Sequence, residues 1–142
     1  MKISEVMTTN VETVTGDQTA REAASFMLRA NAGSIPVCEG GRVIGMITDR
    51  DIAVRGIAEG RGPDCPVRDL MSDDIVCARE DDDTTDVAER MSSEQVRRLP
   101  VVDENDRLVG IVSIGDLSRE GPEQAAAMAL EGVTQPGGEH EQ

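Results

Sequence analysis

Tryptophan and tyrosine are absent, and Phe26 is the only aromatic side chain in 142 residues. The core therefore has to be built from Val, Ile, Leu, Met and Ala, and almost nothing is present on which nucleic-acid bases stack. Positive charge is scarce as well. Lys and Arg number 14 against 28 Asp and Glu, a formal net charge of −14. Like-charge repulsion then opposes nucleic acid or an anionic membrane surface as a partner. No run of about 18 apolar residues occurs, so no segment is expected to span a membrane. The opening MKISEVMTTN lacks the apolar stretch of a secretory leader, and a cytoplasmic protein is expected.

Chemistry-bearing patterns are equally sparse. The one histidine, His140, lies in a polar tail, which removes His-based acid–base work. Cys38, Cys65 and Cys77 are odd in number and form no C-x-x-C pair. Neither a disulfide framework nor a zinc or iron–sulfur site is expected, and Cys38 and Cys77 read as small buried hydrophobes. The phosphate loop G-x-x-x-x-G-K-[ST] is missing, and EGGRVIG reads as a hairpin turn. The acidic run Glu80 to Asp83 lacks the spacing of a calcium loop. No catalytic constellation remains, so the chain is read as a non-enzyme without metal or catalytic cofactor.

What the chain does contain is an internal repeat. VMTTNVETV (Val6 to Val14) matches LMSDDIVCA (Leu70 to Ala78) at an offset of 64, as IPV at Ile35 to Val37 matches LPV at Leu99 to Val101. One extra residue in the turn DEND shifts the offset to 65. GMITDRDI (Gly45 to Ile52) then meets GIVSIGDL (Gly110 to Leu117), with Thr48 on Ser113 and Asp51 on Asp116. Each copy predicts a short extended run (NVETV or DIVCA), a helix, a hairpin and a second helix, β-α-β-β-α twice. In the first helix Ala20, Ala23, Ala24, Met27 and Leu28 recur at helical spacing. Thr19 with Glu22, and Asp83 with Asp86, resemble capping boxes. The hairpin strands are Ser34 to Cys38 with Arg42 to Thr48, and Arg98 to Asp103 with Leu108 to Ser113; the second helices start near Asp49 and Ile114. The expected organisation is a first repeat at 1–58, a Gly/Pro-rich linker at 59–66, a second repeat at 67–119, and a C-terminal helix with a disordered tail at 120–142. In that last part, Pro122 is placed near the first turn and Gly132 at the stop. A unit of about fifty residues buries too little apolar surface to stand alone. Two copies packed sheet to sheet with pseudo-two-fold symmetry, an α/β (α+β) fold, is the expected solution.

These features resemble the CBS-domain family, and the tandem pair resembles a Bateman module. The match rests on Met7-Thr8 and Met71-Ser72 before the first strands, the IPV and LPV strands, and the two Gly-h-h-[Thr/Ser]-x-x-Asp segments. It covers roughly Met1 to Arg119. The resemblance implies a regulatory module, without catalysis, that senses adenine nucleotides or related adenosyl ligands in clefts where the repeats meet: AMP, ADP, ATP or S-adenosylmethionine. It implies a homodimer as well. A ligand-independent interaction or structural module, binding an unidentified protein through its acidic surface or Ala-rich C-terminal helix, is the alternative.

Candidate site residues follow from the repeat and the resemblance together. A carboxylate can accept two adjacent ribose hydroxyls, and the resemblance gives Asp51 and Asp116 that role. Thr48 and Ser113 stand at predicted helix starts, where N–H groups favour phosphate. Both pairs equally fit capping boxes that serve the fold alone. Arg98, with Arg97 before it, occupies the place where the family often carries a phosphate-contacting basic residue. The alternative is that the two arginines neutralise Glu94 or the Glu80 to Asp83 run. Copy one has the uncharged Gly33 and Ser34 instead, so the two clefts are expected to differ, the arginine-bearing one preferring a phosphorylated ligand. Val11, Thr13, Ile35 and Pro36, and their counterparts Ile75, Cys77, Leu99 and Pro100, are candidates for adenine pockets or for plain core.

Overall fold

The computed structural model of the chain describes residues 1–134. Two compact units emerge, and each draws its residues from both repeats. One consists of Glu12–Ile75; the other joins Met1–Val11 to residues 76–134. The segment leading into each repeat thus packs on the hairpin of the other repeat's unit.

In the unit Glu12–Ile75, α1 (Ala20–Ala30) opens at a reciprocal cap: the Glu22 N–H donates to Thr19 Oγ1 at 3.1 Å, and the Thr19 N–H to Glu22 Oε1 at 3.2 Å. It ends on Asn31 in the left-handed region, φ 51°, a place Asn tolerates better than most residues. β1 (Ser34–Glu39) and β2 (Arg42–Thr48) form an antiparallel hairpin around Gly40 and Gly41, both at positive φ. The second helix of the copy is a π-helix, Asp51–Ile57, and a 3₁₀ turn follows at Val67–Asp69. Val14, Ala20, Ala23, Met27, Ile35, Val37 and Ile47 form the core, completed by Cys65, Val67 and Leu70 from the linker and the lead-in to copy two.

The other unit repeats this plan. A 3₁₀ turn at Ile3–Glu5 precedes β3 (Ala78–Arg79), α2 (Thr84–Glu94), β4 (Arg98–Val102), β5 (Leu108–Ser113), α3 (Ile114–Glu120) and α4 (Glu123–Val133). Its core includes Val87, Ala88, Met91, Leu99, Val101, Val112 and Leu117, with Ile3 and Val6 from the lead-in to copy one. Ala125 and Ala129 of α4 join this cluster, and α4 lies along α2 and α3.

Several local expectations are corrected. The extended runs shrink to one bridge, Val14 beside Val37, and to the two residues of β3 beside Val101 and Val102. The cause is visible in the ladder: Val14 donates to the Pro36 carbonyl and accepts from the Cys38 N–H. The next parallel rung would need an N–H from Pro36, or from Pro100 in copy two, and proline has none. Asp83 caps α2 through the Thr85 N–H at 2.9 Å and pairs with the Met1 ammonium at 3.2 Å, so the box with Asp86 does not form. Gly132 lies inside α4 instead of stopping it. Cys38 is buried as expected but Cys77 is only half-buried, while Cys65 is buried. On α1, Ala20, Ala23 and Met27 face the core, whereas Ala24 is exposed and Leu28 is 84% exposed. The expected C-terminal helix runs to Val133, and positions 135–142, where a disordered tail is expected, lie outside the described residues.

Candidate functional site

Gly45 and Gly110, the first residues of the two repeated octets, sit where a foreign segment crosses the hairpin. In one unit Met46 and Ser72 exchange both backbone hydrogen bonds at 2.9 Å; in the other Ile111 and Thr8 do the same at 2.9 and 2.8 Å. A Cβ on Gly45 would lie 2.7 Å from the Ser72 carbonyl oxygen and 2.8 Å from Met71 Sδ. On Gly110 it would lie 2.7 Å from Met7 Sδ and 2.8 Å from the Thr8 carbonyl oxygen. Only glycine admits backbone this close, which is why the octet opens with it.

Three residues beyond each crossing, the hydroxyl and carboxylate pairs come together as reciprocal caps. The Asp51 N–H donates to Thr48 Oγ1 and the Thr48 N–H to Asp51 Oδ2, both at 3.0 Å. Ser113 and Asp116 repeat this at 3.0 Å each way. Thr48, Asp51 and Asp116 are buried, at 4%, 7% and 5% exposure. The capping geometry leaves Oδ1 of each carboxylate for other partners. In copy one Arg55 Nε lies 3.9 Å from Asp51 Oδ1, and the same guanidinium donates to the Leu70 carbonyl at 3.3 Å. In copy two Arg119 donates to Asp116 Oδ1 at 2.8 Å and the Thr8 hydroxyl donates to it at 3.3 Å. Sequence reasoning singled out none of these three as site residues. The arginines lie three and four residues after their aspartates, a helical spacing that flags them. Thr8 is 108 residues away and only the fold delivers it.

The strand register brings the residue before each apolar-Pro pair to the same place. Ser34 stands directly opposite Thr48, and Arg98 directly opposite Ser113. Directly opposed residues of an antiparallel pair share a face. Arg98 is half-buried and Arg97 exposed. The Arg97 carbonyl accepts the Ile114 N–H at 3.0 Å, as the Gly33 carbonyl accepts the Asp49 N–H at 2.9 Å. Buried Ser34 offers a hydroxyl with no hydrogen-bond partner among the described residues, an uncompensated cost of about 1–3 kcal/mol in the absence of water or ligand.

The CBS domain sequence profile matches residues 3–55 and again 67–123. The chain belongs to the CBS domain family. It is 44% identical over 133 residues to the CBS domain-containing protein YhcV of Bacillus subtilis, covering 93% of this chain and 94% of that one. Two solved CBS-type structures are similar in fold. Hypoxic response protein I with two coordinated zinc ions aligns at TM-score 0.79 and 33% identity, over 86% of this chain and 100% of that one. A CBS domain pair in complex with 5′-methylthioadenosine and S-adenosyl-L-methionine aligns at TM-score 0.75 and 28% identity, over 84% and 94%. Among the described residues of this chain, no cluster of three or more His, Cys, Asp or Glu side chains could hold a metal ion. No described helix is long and apolar enough to cross a membrane.

Within the CBS repeats, the adenine-pocket candidates divide. Ile35 and Leu99 are 2% exposed and belong to the two cores. Pro36 and Pro100 are also buried. Val11, Ile75 and Cys77 are half-buried and Thr13 is exposed, so these keep accessible surface. Burial first, and then the nearby Asp106 charge, push the Cys77 thiol above its ordinary range.

Proposed function

We propose that this chain is a regulatory CBS protein that binds an adenosyl ligand and performs no chemistry on it. The observation that carries the reading is the register that sets Arg98 opposite Ser113, with Arg97 beside it and Asp116 at the following helix start. A guanidinium in that position suits a phosphate through charge-assisted hydrogen bonds. Asp116 Oδ1, once Arg119 swings away, suits a ribose hydroxyl; Arg119 is 69% exposed and has room to do so. The related CBS pair bound to methylthioadenosine and S-adenosylmethionine supports the adenosyl class.

The copy-one site takes a less charged group. Asp51 stands for Asp116 there, with Thr48 for Ser113, and the unpaired Ser34 hydroxyl replaces the Arg98 guanidinium. A nucleotide phosphate is expected at the Arg98 site and an uncharged polar group at the Ser34 site.

Titration calorimetry with AMP, ADP, ATP and S-adenosylmethionine tests the reading, repeated with Arg98→Ala. Saturable binding of a phosphorylated member that weakens about tenfold or more in the variant supports it. A second reading draws on the carboxylates themselves: both are already satisfied by Arg55, Arg119 and Thr8. A ligand-independent interaction module is then expected to leave all four titrations flat.

A further inference from the structure

Oδ1 of Asp116 is already full. A carboxylate oxygen accepts about two hydrogen bonds, and this one takes Arg119 Nη2 at 2.8 Å and the Thr8 hydroxyl at 3.3 Å. Two adjacent ribose hydroxyls therefore enter only by exchange, one for Arg119 and one for Thr8. Arg119 is exposed and swings out into solvent. Thr8 belongs to a segment with somewhere else to go. It meets β5 at an isolated bridge with Ile111, and after Val11 the chain leaves this unit for the other. One bridge is a weak hold, so a side-chain tie beside it is a large part of what fixes the segment. That tie is also the cheaper of the two to break, since its donor is neutral and its bond is long.

Copy one repeats the wiring with a different side chain. Ser72, the counterpart of Thr8, meets Met46 at an isolated bridge, and after Ile75 the chain leaves that unit. The tie is Arg55. Its Nη1 donates to the Leu70 carbonyl at 3.3 Å and to the Met71 carbonyl at 3.4 Å, while Nε lies 3.9 Å from Asp51 Oδ1. Arg55 stands four residues after Asp51 on a π-helix, where Arg119 stands three after Asp116 on α3. The wider π turn thus aims a guanidinium at the carboxylate from one position further along. A hydroxyl in one copy and a guanidinium in the other join the same two things: the free edge of the carboxylate, and the lead-in segment just before it leaves the unit.

We propose that these ties are the regulatory output of the two sites: a ligand hydroxyl that takes Oδ1 of Asp116 or Asp51 releases the lead-in held there, Thr8 directly and Leu70–Met71 through Arg55. The exchange presupposes the adenosyl ligand proposed above. Its test is amide hydrogen exchange by NMR on the full chain, read at two pairs, Thr8 with Ile111 and Met46 with Ser72, whose N–H groups make the bridges. Parent, Thr8→Val, Thr8→Ser and Arg55→Met are each measured alone and with AMP, ADP, ATP and S-adenosylmethionine, with calorimetry alongside. Without ligand, Thr8→Val should speed exchange at the first pair about threefold to tenfold, the worth of one hydrogen bond, and leave the second pair unchanged. Thr8→Ser, which keeps the hydroxyl, should match the parent, and Arg55→Met should speed only the second pair. A compound bound at Asp116 should speed the first pair in the parent and add nothing in Thr8→Val, which should bind it about threefold more tightly because no tie has to break. Exchange in Thr8→Val equal to the parent's overturns the tie. Binding that leaves the first pair unchanged or slows it overturns the release and spares the adenosyl reading. Four flat titrations remove that reading and the release together.

Discussion

Gly45 and Gly110 show how one residue records a contact made elsewhere in the chain. Each lacks a side chain because the backbone of the other repeat's lead-in crosses within 3 Å of where a Cβ would stand. Gly45→Ala or Gly110→Ala should cost about 1–3 kcal/mol, in the range of overpacked cores, measured by urea unfolding. Asp116 carries a different load: it caps α3, so Asp116→Ala should lose about 1 kcal/mol even in ligand-free protein. Asp103 gives a pH signature. Its carboxylate accepts the Arg107 and Asn105 N–H groups of the turn, which lowers its pKa from the ordinary 3.8. A depressed folded pKa means the stabilisation is fully present above the unfolded value and is lost as pH falls through the folded one. The stability gap between the parent and Asp103→Ala should therefore be widest near neutrality and close as the pH drops below 3.8; a gap that widens in acid would contradict this.

Elements were legible in proportion to how local their causes are. The hairpins, α1 and the start of α3 followed from Gly40-Gly41, from the Thr19/Glu22 cap and from the Ser113/Asp116 spacing, all within a few residues. The same spacing correctly joined Thr48 to Asp51, and left open whether the pair also serves a ligand. The extended runs failed because the rule that ended them, the missing N–H of Pro36 and Pro100, acts across strands. Thr8 could not be foreseen at Asp116, because only folding closes that separation. Helical periodicity drew Ala24 and Leu28 into the α1 core along with Met27, but a helix presents a continuous surface and burial ends where the neighbouring element ends. On α4 the reverse holds: Gly132 looks like a stop and is instead a packing residue against Ser92. Gly132→Val should push α4 off α2 and expose Ala125 and Ala129, seen as faster amide exchange confined to residues 121–134. Unchanged protection there would refute the packing role.

At the scale of the whole molecule, the sequence repeat and the compact unit are different objects. Val67 and Leu70 are fully buried in the unit Glu12–Ile75, although they introduce the second repeat; Ile3 and Val6 are buried in the other. Each such side chain contributes about 1.5–3 kcal/mol of burial, a large share of what a domain this small can gather. A fragment spanning residues 12–75 should hold more cooperative structure by circular dichroism and urea titration than one spanning residues 1–58, which lacks Cys65, Val67 and Leu70. Equal cooperativity would show the exchanged segments to be dispensable. The same duplication supplies two versions of one site, a guanidinium in one and an orphaned hydroxyl in the other, and that inequality is the basis of the proposed ligand preference. The most direct test is a thermal-shift titration with AMP, ADP, ATP and S-adenosylmethionine on the parent and on Arg98→Ala. At 100 times its dissociation constant a bound ligand stabilises the fold by about 2.7 kcal/mol. A rise in midpoint with a phosphorylated adenosyl ligand, lost in Arg98→Ala, is the predicted result; a midpoint unmoved by all four compounds would contradict the account.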